Sequence, residues 1–241
     1  MEYKASIMNV TTVDVVIPTL TKPNAKLLKV LENASWVNNI FVTKEKPLSV
    51  ARKNVLLKAN TEFVAMFDDD VEIPECWFSH VSGHVGDGIG AVASVAKESD
   101  YIYSSYARLV SFFVPLNKIS NSPHITNVLV RRSLLADYEP PRLFFGEDQF
   151  FKNHVTSKGY LWKILEHIGV LHVTSNRNML DLGVVYGKYG LLSNTILFRR
   201  FLARLVFGPY LGMTTLDHRI VSQLMKHNVQ FFAGWLKALC N

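Results

Sequence analysis

The chain has 241 residues, of which 49% are hydrophobic, 12% aromatic and 19% charged, with a formal net charge of +6. This balance excludes a disordered chain, a collagen-like chain and a disulfide miniprotein; at roughly 100–200 residues per domain it leaves one large domain, or one domain with a small appendage. The charge is unevenly placed: residues 1–174 carry 18 basic and 18 acidic side chains, whereas residues 175–241 carry 8 basic ones against only Asp181 and Asp217. An excess confined to one end favours an anionic partner met by that end over a protein that coats nucleic acid.

Cys76 and Cys240 lie far apart with no Cys or His at metal-finger spacing, so neither a zinc module nor a disulfide framework is indicated and a reducing compartment is expected. The opening residues, Met1 to Ser6, lack the basic start and apolar core of a signal peptide. The longest uncharged apolar run of the tail, Leu205 to Leu216, has 12 residues interrupted by Gly208, Pro209 and Gly212. A spanning helix needs about 18. The expectation is a cytoplasmic protein, soluble or peripheral.

In chain order, Val13 to Ile17 is a β-branched run that stops at Pro18 and predicts a buried strand. Asn24 is placed to cap a helix carrying Leu27, Leu28, Leu31 and Trp36, and Ile40-Phe41-Val42 predicts a second strand. Ser49 is placed to cap a helix with Val50, Leu56 and Leu57, before a third apolar strand, Phe63 to Phe67. Strand, helix, strand alternation implies βαβ units and a mainly parallel sheet. The third strand runs into Asp68-Asp69-Asp70, a cluster that repels itself and has little structural use. In open α/β sheets ligands bind beyond the carboxyl ends of strands, where this triplet falls, and a divalent cation is its simplest neutraliser.

Further strands are expected at Ile89 to Ala96 and Val128 to Val130, with the aromatic stretch Ser104 to His124 between them as core or as the lining of an acceptor site. Gly146-Glu147-Asp148 opens a helix to Ser157, ended by Gly159, with the two acids in the first turn where the helix dipole suits them. Gly169 to Val173 predicts a last strand carrying His172. In the tail, Ile196 to Phe207 and residues 219–239 each set Leu, Phe and Trp on one face and Arg and Lys on the other, the pattern of helices at an anionic membrane surface or of helices packed on a domain.

The order of these pieces resembles the inverting family 2 glycosyltransferases of the A-type glycosyltransferase fold. The resemblance rests on Val15-Val16-Ile17-Pro18-Thr19-Leu20, on Ser49 to Asn54 followed by Phe63 to Asp70, on Asn127 to Arg132, and on Gly146-Glu147-Asp148 with His172. It implies an α/β fold: a single Rossmann-like domain over residues 1–174 with a mainly parallel central sheet, followed by a basic amphipathic helical tail over 175–241. By the same resemblance Pro18, Thr19, Arg52, Asp68 and Asp69 serve the nucleotide-sugar donor, and Asp70, Asp68 and His172 a Mn2+ or Mg2+ ion. The resemblance likewise makes Asp148, with Glu147 beside it, the expected catalytic base.

The implied activity is transfer of a sugar from a UDP or GDP sugar to a hydroxyl of a glycan or lipid-linked acceptor at the cytoplasmic membrane face. Such transfer requires two separated acidic sites, one to hold a metal ion against the diphosphate and one to take the acceptor proton. A polyprenyl phosphate acceptor is the near alternative, since a phosphate oxygen needs no strong base. A nucleotidyltransferase is the more distant one, and it would normally place a glycine-rich loop where Thr19-Leu20-Thr21-Lys22-Pro23 has no glycine.

Overall fold

The structure, a computed structural model, describes residues 10–19, 22–99, 125–142, 147–166, 168–173, 179–189, 202, 205–207, 209–210, 213–214 and 218–239. The chain forms two compact units, one of residues 1–97 and 120–173, the other of residues 98–119 and 174–241.

The first unit is built on a six-stranded sheet. Its elements are β1 (Val13–Pro18), α1 (Ala25–Glu32), β2 (Val37–Thr43), α2 (Leu48–Leu56), β3 (Phe63–Phe67), β4 (Val71–Glu72), α3 (Trp77–Ser82), β5 (Ile89–Ser94), β6 (Lys97–Glu98), β7 (Asn127–Arg131), a 3-10 turn (Arg132–Leu135), α4 (Glu147–Ser157), β8 (Leu161–Leu165) and β9 (Leu171–His172). The sheet order is β2-β1-β3-β7-β5-β8, and β4-β9-β6 form a second, three-stranded sheet. β1 pairs in parallel with β2 and β3, and β5 with β8, while β7 runs antiparallel to both β3 and β5.

Strand period explains the two cores. Successive residues of β1 and β3 point to opposite faces, and both faces are covered. Val13, Val15, Ile17, Phe63, Ala65 and Phe67 join Leu27 and Leu31 of α1 and Trp77 and Val81 of α3. Val16, Val64 and Met66 join Val55 and Leu56 of α2, with Phe151 and Val155 of α4. The same even-numbered face holds Asp14, fully buried, whose carboxylate accepts from the Asn60 and Thr61 backbone amides (2.6 and 3.2 Å) and from the Asn38 and Asn39 side chains (2.9 Å each). Burial pushes this carboxyl up, but those four donors outweigh it and hold it below the usual carboxylate range.

Asn24 caps α1 as expected, its Oδ1 accepting from the Lys26 amide at 2.8 Å. The helix ends at Glu32, however, so Trp36 lies outside it and stacks on Phe78, with ring centroids 4.6 Å apart and an interplanar angle of 8°. Ser49 is not a cap. Pro47 precedes α2, and the Ser49 hydroxyl donates to the Pro141 carbonyl at 2.6 Å, tying the helix to the segment before α4. The fifth strand stops at Ser94, two residues short of the expected end.

In the second unit, α5 (Met179–Tyr189) packs along α6 (His218–Leu239). The contact is closest at glycines: a Cβ on Gly183 would run into the Phe231 carbonyl, and one on Gly234 into that of Leu180. The expected helix over residues 219–239 is present as α6, whereas the expected Ser104–His124 lining lies outside the described residues, as does most of the expected helix over Ile196 to Phe207. Among the described residues no helix is long and apolar enough to cross a membrane.

Candidate active site

The site lies where β1 and β3 end. Pro18 is the last residue of β1, and the Thr19 amide donates to the Thr43 carbonyl at 2.8 Å, holding the ends of β1 and β2 together. The Thr19 hydroxyl donates to the Asp69 carboxylate, and the Asn24 amide to the Asp69 carbonyl at 2.7 Å, so the middle acid of the triplet anchors the loop after β1. Burial is the main influence on Asp69 and pushes its carboxyl up, with the Asp70 and Asp68 charges adding to it and the Thr19 hydroxyl opposing.

The outer two acids face a different partner. β4 and β9 pair with Val71 opposite His172, and the Val173 amide donates to the Asp70 carbonyl at 2.8 Å. This short antiparallel pairing carries the His172 imidazole to the triplet, with Nε2 3.1 Å from Asp70 Oδ1. One ligand atom from each of Asp68, Asp70 and His172 can be chosen so that all lie within 4.8 Å of one another, each side chain being half-buried. Two carboxylate oxygens and one imidazole nitrogen suit a hard or borderline divalent cation such as Mn2+.

Behind them, Arg52 of α2 is buried and spans both acidic sites. Its Nη2 pairs with Asp68, its Nη1 donates to the Ile125 carbonyl at 3.4 Å, and its Nε lies 3.3 Å from Glu147 Oε1. Burial alone would pull this guanidinium down, but the Asp68 and Glu147 charges reverse that and hold it firmly cationic. Glu147 and Asp148 open α4, with Glu147 buried and Asp148 half-buried with its Oδ1 accepting from the Gln149 amide at 3.1 Å. Burial pushes Glu147 up to about 7, with Arg52 opposing, and pushes Asp148 up to about 6, with the Gln149 amide and Arg52 opposing.

The strands beneath are locked by a buried amide. Asn127 Oδ1 accepts from the Trp77 indole and the Ser94 amide (3.2 Å each) and from the Ser94 hydroxyl, while Nδ2 donates to the Ser94 carbonyl (3.0 Å) and the Thr126 hydroxyl (3.2 Å). Asn127 stands opposite Phe67, and the Asp68 amide donates to the Thr126 carbonyl at 3.0 Å, so this network fixes the point where β3 delivers its acids.

All nine residues singled out from the sequence therefore lie in the first unit. Asp68, Asp70 and His172 converge on one point, Arg52 joins Asp68 to Glu147, and Thr19 engages Asp69. Sequence reasoning had treated Arg52 only as a nucleotide contact and passed over Tyr138, whose ring packs on Phe151 of α4. No local signal marks either pairing, because 16 residues separate Arg52 from Asp68 and 95 separate it from Glu147.

A mixed sheet covered on both faces, with an acid triplet at the carboxyl end of its central parallel strands and a second acidic pair heading a later helix, defines the A-type glycosyltransferase fold. Solved structures agree. The chain superposes on a mannosyltransferase from Pyrobaculum calidifontis, in complex with GDP-Man and Mn2+, with a TM-score of 0.64 at 14% identity over 98% of this chain and 89% of that one. Glucosyl-3-phosphoglycerate synthase from Mycobacterium tuberculosis, in complex with Mn2+ and UDP-glucose, gives a TM-score of 0.53 at 16% identity, over 74% of this chain and 76% of that one. The same synthase with phosphoglyceric acid also gives 0.53 at 16% identity, over 74% and 77%. No protein-family model matches the sequence, and comparison with curated proteins likewise finds no match.

Proposed function

We propose that the protein is a metal-dependent, inverting glycosyltransferase that moves a sugar from a UDP or GDP sugar to a hydroxyl of a glycan or lipid-linked acceptor. The observation that carries this reading is the convergence of Asp68, Asp70 and His172, from the ends of two different strands, on one point large enough for a single ion. The structural neighbours with UDP-glucose or GDP-Man and Mn2+ support the same donor class.

Asp68, Asp70 and His172 would hold Mn2+ or Mg2+, and a divalent ion supplies positive charge against the diphosphate as it leaves. The protein's own groups do the rest. Arg52 fixes the Asp68 carboxylate from behind, which leaves less of that side chain's freedom to be lost on binding. Pro18 and Thr19 present the end of β1 to the nucleoside, and Asp69 holds that loop in place through the Thr19 hydroxyl. Asp148 takes the proton from the acceptor hydroxyl. A base must be ionised at the working pH yet retain affinity for a proton, and a carboxyl raised to about 6 meets both conditions.

The basic second unit supports action at the cytoplasmic face of a membrane. On α6, Val229, Leu236 and Leu239 are exposed, with Arg219, Lys226 and Lys237 exposed on the same helix. Apolar and cationic groups together on a helix surface match the two attractions of an anionic bilayer, apolar burial and surface potential.

Thermal unfolding with UDP-glucose and GDP-mannose, each with and without Mn2+, tests donor and metal together. A donor present at about 100 times its Kd raises the midpoint by about 5–10 °C, and only when the ion is present. No shift with any nucleotide sugar overturns the reading.

A further inference from the structure

The ring of Tyr138 meets Phe151 edge-on, with centroids 5.1 Å apart and an interplanar angle of 83°, and lies 4.9 Å from the His154 ring. Glu147, Phe151 and His154 follow at spacings of four and three residues, so they share one face of α4 and Tyr138 lies along it. Tyr138 is only 5% exposed, and its hydroxyl has no hydrogen-bond partner among the described residues. Burial and then the Glu147 charge push the phenol up, with the Arg52 charge opposing, which puts the hydroxyl within reach of the field at the acidic head of the helix.

A second buried donor in the same cluster is also unsatisfied. Arg52 Nε, though 3.3 Å from Glu147 Oε1, makes no hydrogen bond. One unused donor, Arg52 Nε, thus faces a buried carboxylate with several acceptor sites, and the other, the Tyr138 hydroxyl, lies along the same face of α4. Leaving both unmade carries a desolvation cost, which a Glu147 rotamer that accepts from both would remove. A phenylalanine would fill the same aromatic niche against Phe151 without burying a hydroxyl, so packing alone gives no reason for the oxygen.

We infer that Tyr138 is a positioning residue for the acidic pair: its hydroxyl donates to the Glu147 carboxylate and steadies it against Arg52, which sets the first turn of α4 and with it the direction of Asp148. The hydrogen bond assigned to Tyr138 and Glu147 is argued from the burial and packing of this cluster; its effect on turnover rests on the glycosyltransferase reading.

The test combines a thermal cycle with kinetics, using the full chain with Y138F, E147Q and the double substitution. At pH 8 the losses in unfolding midpoint from the two single substitutions should exceed the loss in the double by at least ~3 °C, because both singles remove one charge-assisted hydrogen bond. In Mn2+-dependent release of nucleotide from UDP-glucose or GDP-mannose, Y138F should lower kcat about tenfold while leaving KM for the donor unchanged, the pattern of lost alignment and not of lost binding. Additive midpoint losses overturn the contact, and unchanged kcat in Y138F overturns the positioning role. If the unsubstituted protein turns over no nucleotide sugar, it is the glycosyltransferase reading that falls, and the thermal cycle, which needs no substrate, still decides the contact.

Discussion

Asp148 and Glu147 are neighbours at the head of α4, yet their surroundings divide their work. Glu147 faces the buried guanidinium of Arg52, whereas Asp148 keeps partial exposure and an amide partner. Replacing Asp148 by Asn keeps the shape and the amide contact but removes the proposed proton acceptor. Turnover should fall by about 10²–10⁴-fold, while Mn2+-linked donor binding in the thermal assay stays near that of the unsubstituted protein. Activity should rise with pH along a limb between about 6 and about 7, belonging to the pair as a unit. Stability runs the other way. Both folded-state values are raised, so the native protein holds extra protons in the window from the ordinary carboxylate range up to about 7, and stability falls as pH rises through it. E147Q should flatten that part of a melting-temperature profile.

Asp14 has the opposite sign. Its folded value is lowered, so its contribution is present above the ordinary aspartate range and is lost only as the pH falls through the lowered value. In Asp14→Asn, two of the four donors now on the carboxylate would face an NH2 group, because each oxygen accepts from two. The expected loss is about 2–3 kcal/mol, read as a midpoint lower by roughly 5–10 °C. Neither the fate of Asp14 nor the bridge through Arg52 was legible in the sequence, because each depends on partners delivered by other elements. Asp14 sits inside an apolar run, and only the packing of Asn38, Asn39 and residues 60–61 shows how it is satisfied.

At the scale of elements, legibility follows burial. β1 and β3 are continuous apolar runs because helices cover both sheet faces, and such runs are visible without neighbours. β8 was not anticipated: it is an edge strand, it carries Lys163 at its centre, and its first residue, Leu161, is exposed. β7 is a short apolar run that sequence does place, but its antiparallel direction between β3 and β5 is a property of the connections, not of its residues. α5 was missed for another reason: Gly183 and Gly187 lower its apparent helix propensity, although both sit where another helix comes close. Gly183→Val should force α5 and α6 apart at a cost on the order of 1–3 kcal/mol or more. Faster tryptic cleavage at Lys188 and Arg219, with the first unit's melting transition unchanged, would register the change.

For the whole molecule, the division of charge bears on where it works. The acidic and basic groups of residues 1–174 balance, so the excess positive charge behind the proposed membrane attachment resides in residues 175–241. Binding to phosphatidylserine vesicles should weaken steeply between 0.05 and 0.5 M salt, values spanning roughly a threefold change in Debye length. A basic side chain at such a surface contributes about 1 kcal/mol, so K226E with K237E should abolish flotation with vesicles while leaving Mn2+-linked donor binding intact.

The short β4–β9 pairing places the third proposed ion ligand more than a hundred residues after the first two. During synthesis the triplet at 68–70 emerges early, and the ion seat is complete only once the chain has passed Val173 and the second small sheet has closed. Capture of an ion at the proposed site would thus require the second small sheet of the first unit: a truncated chain ending before Leu171 should take up Mn2+ at least tenfold more weakly than the full chain.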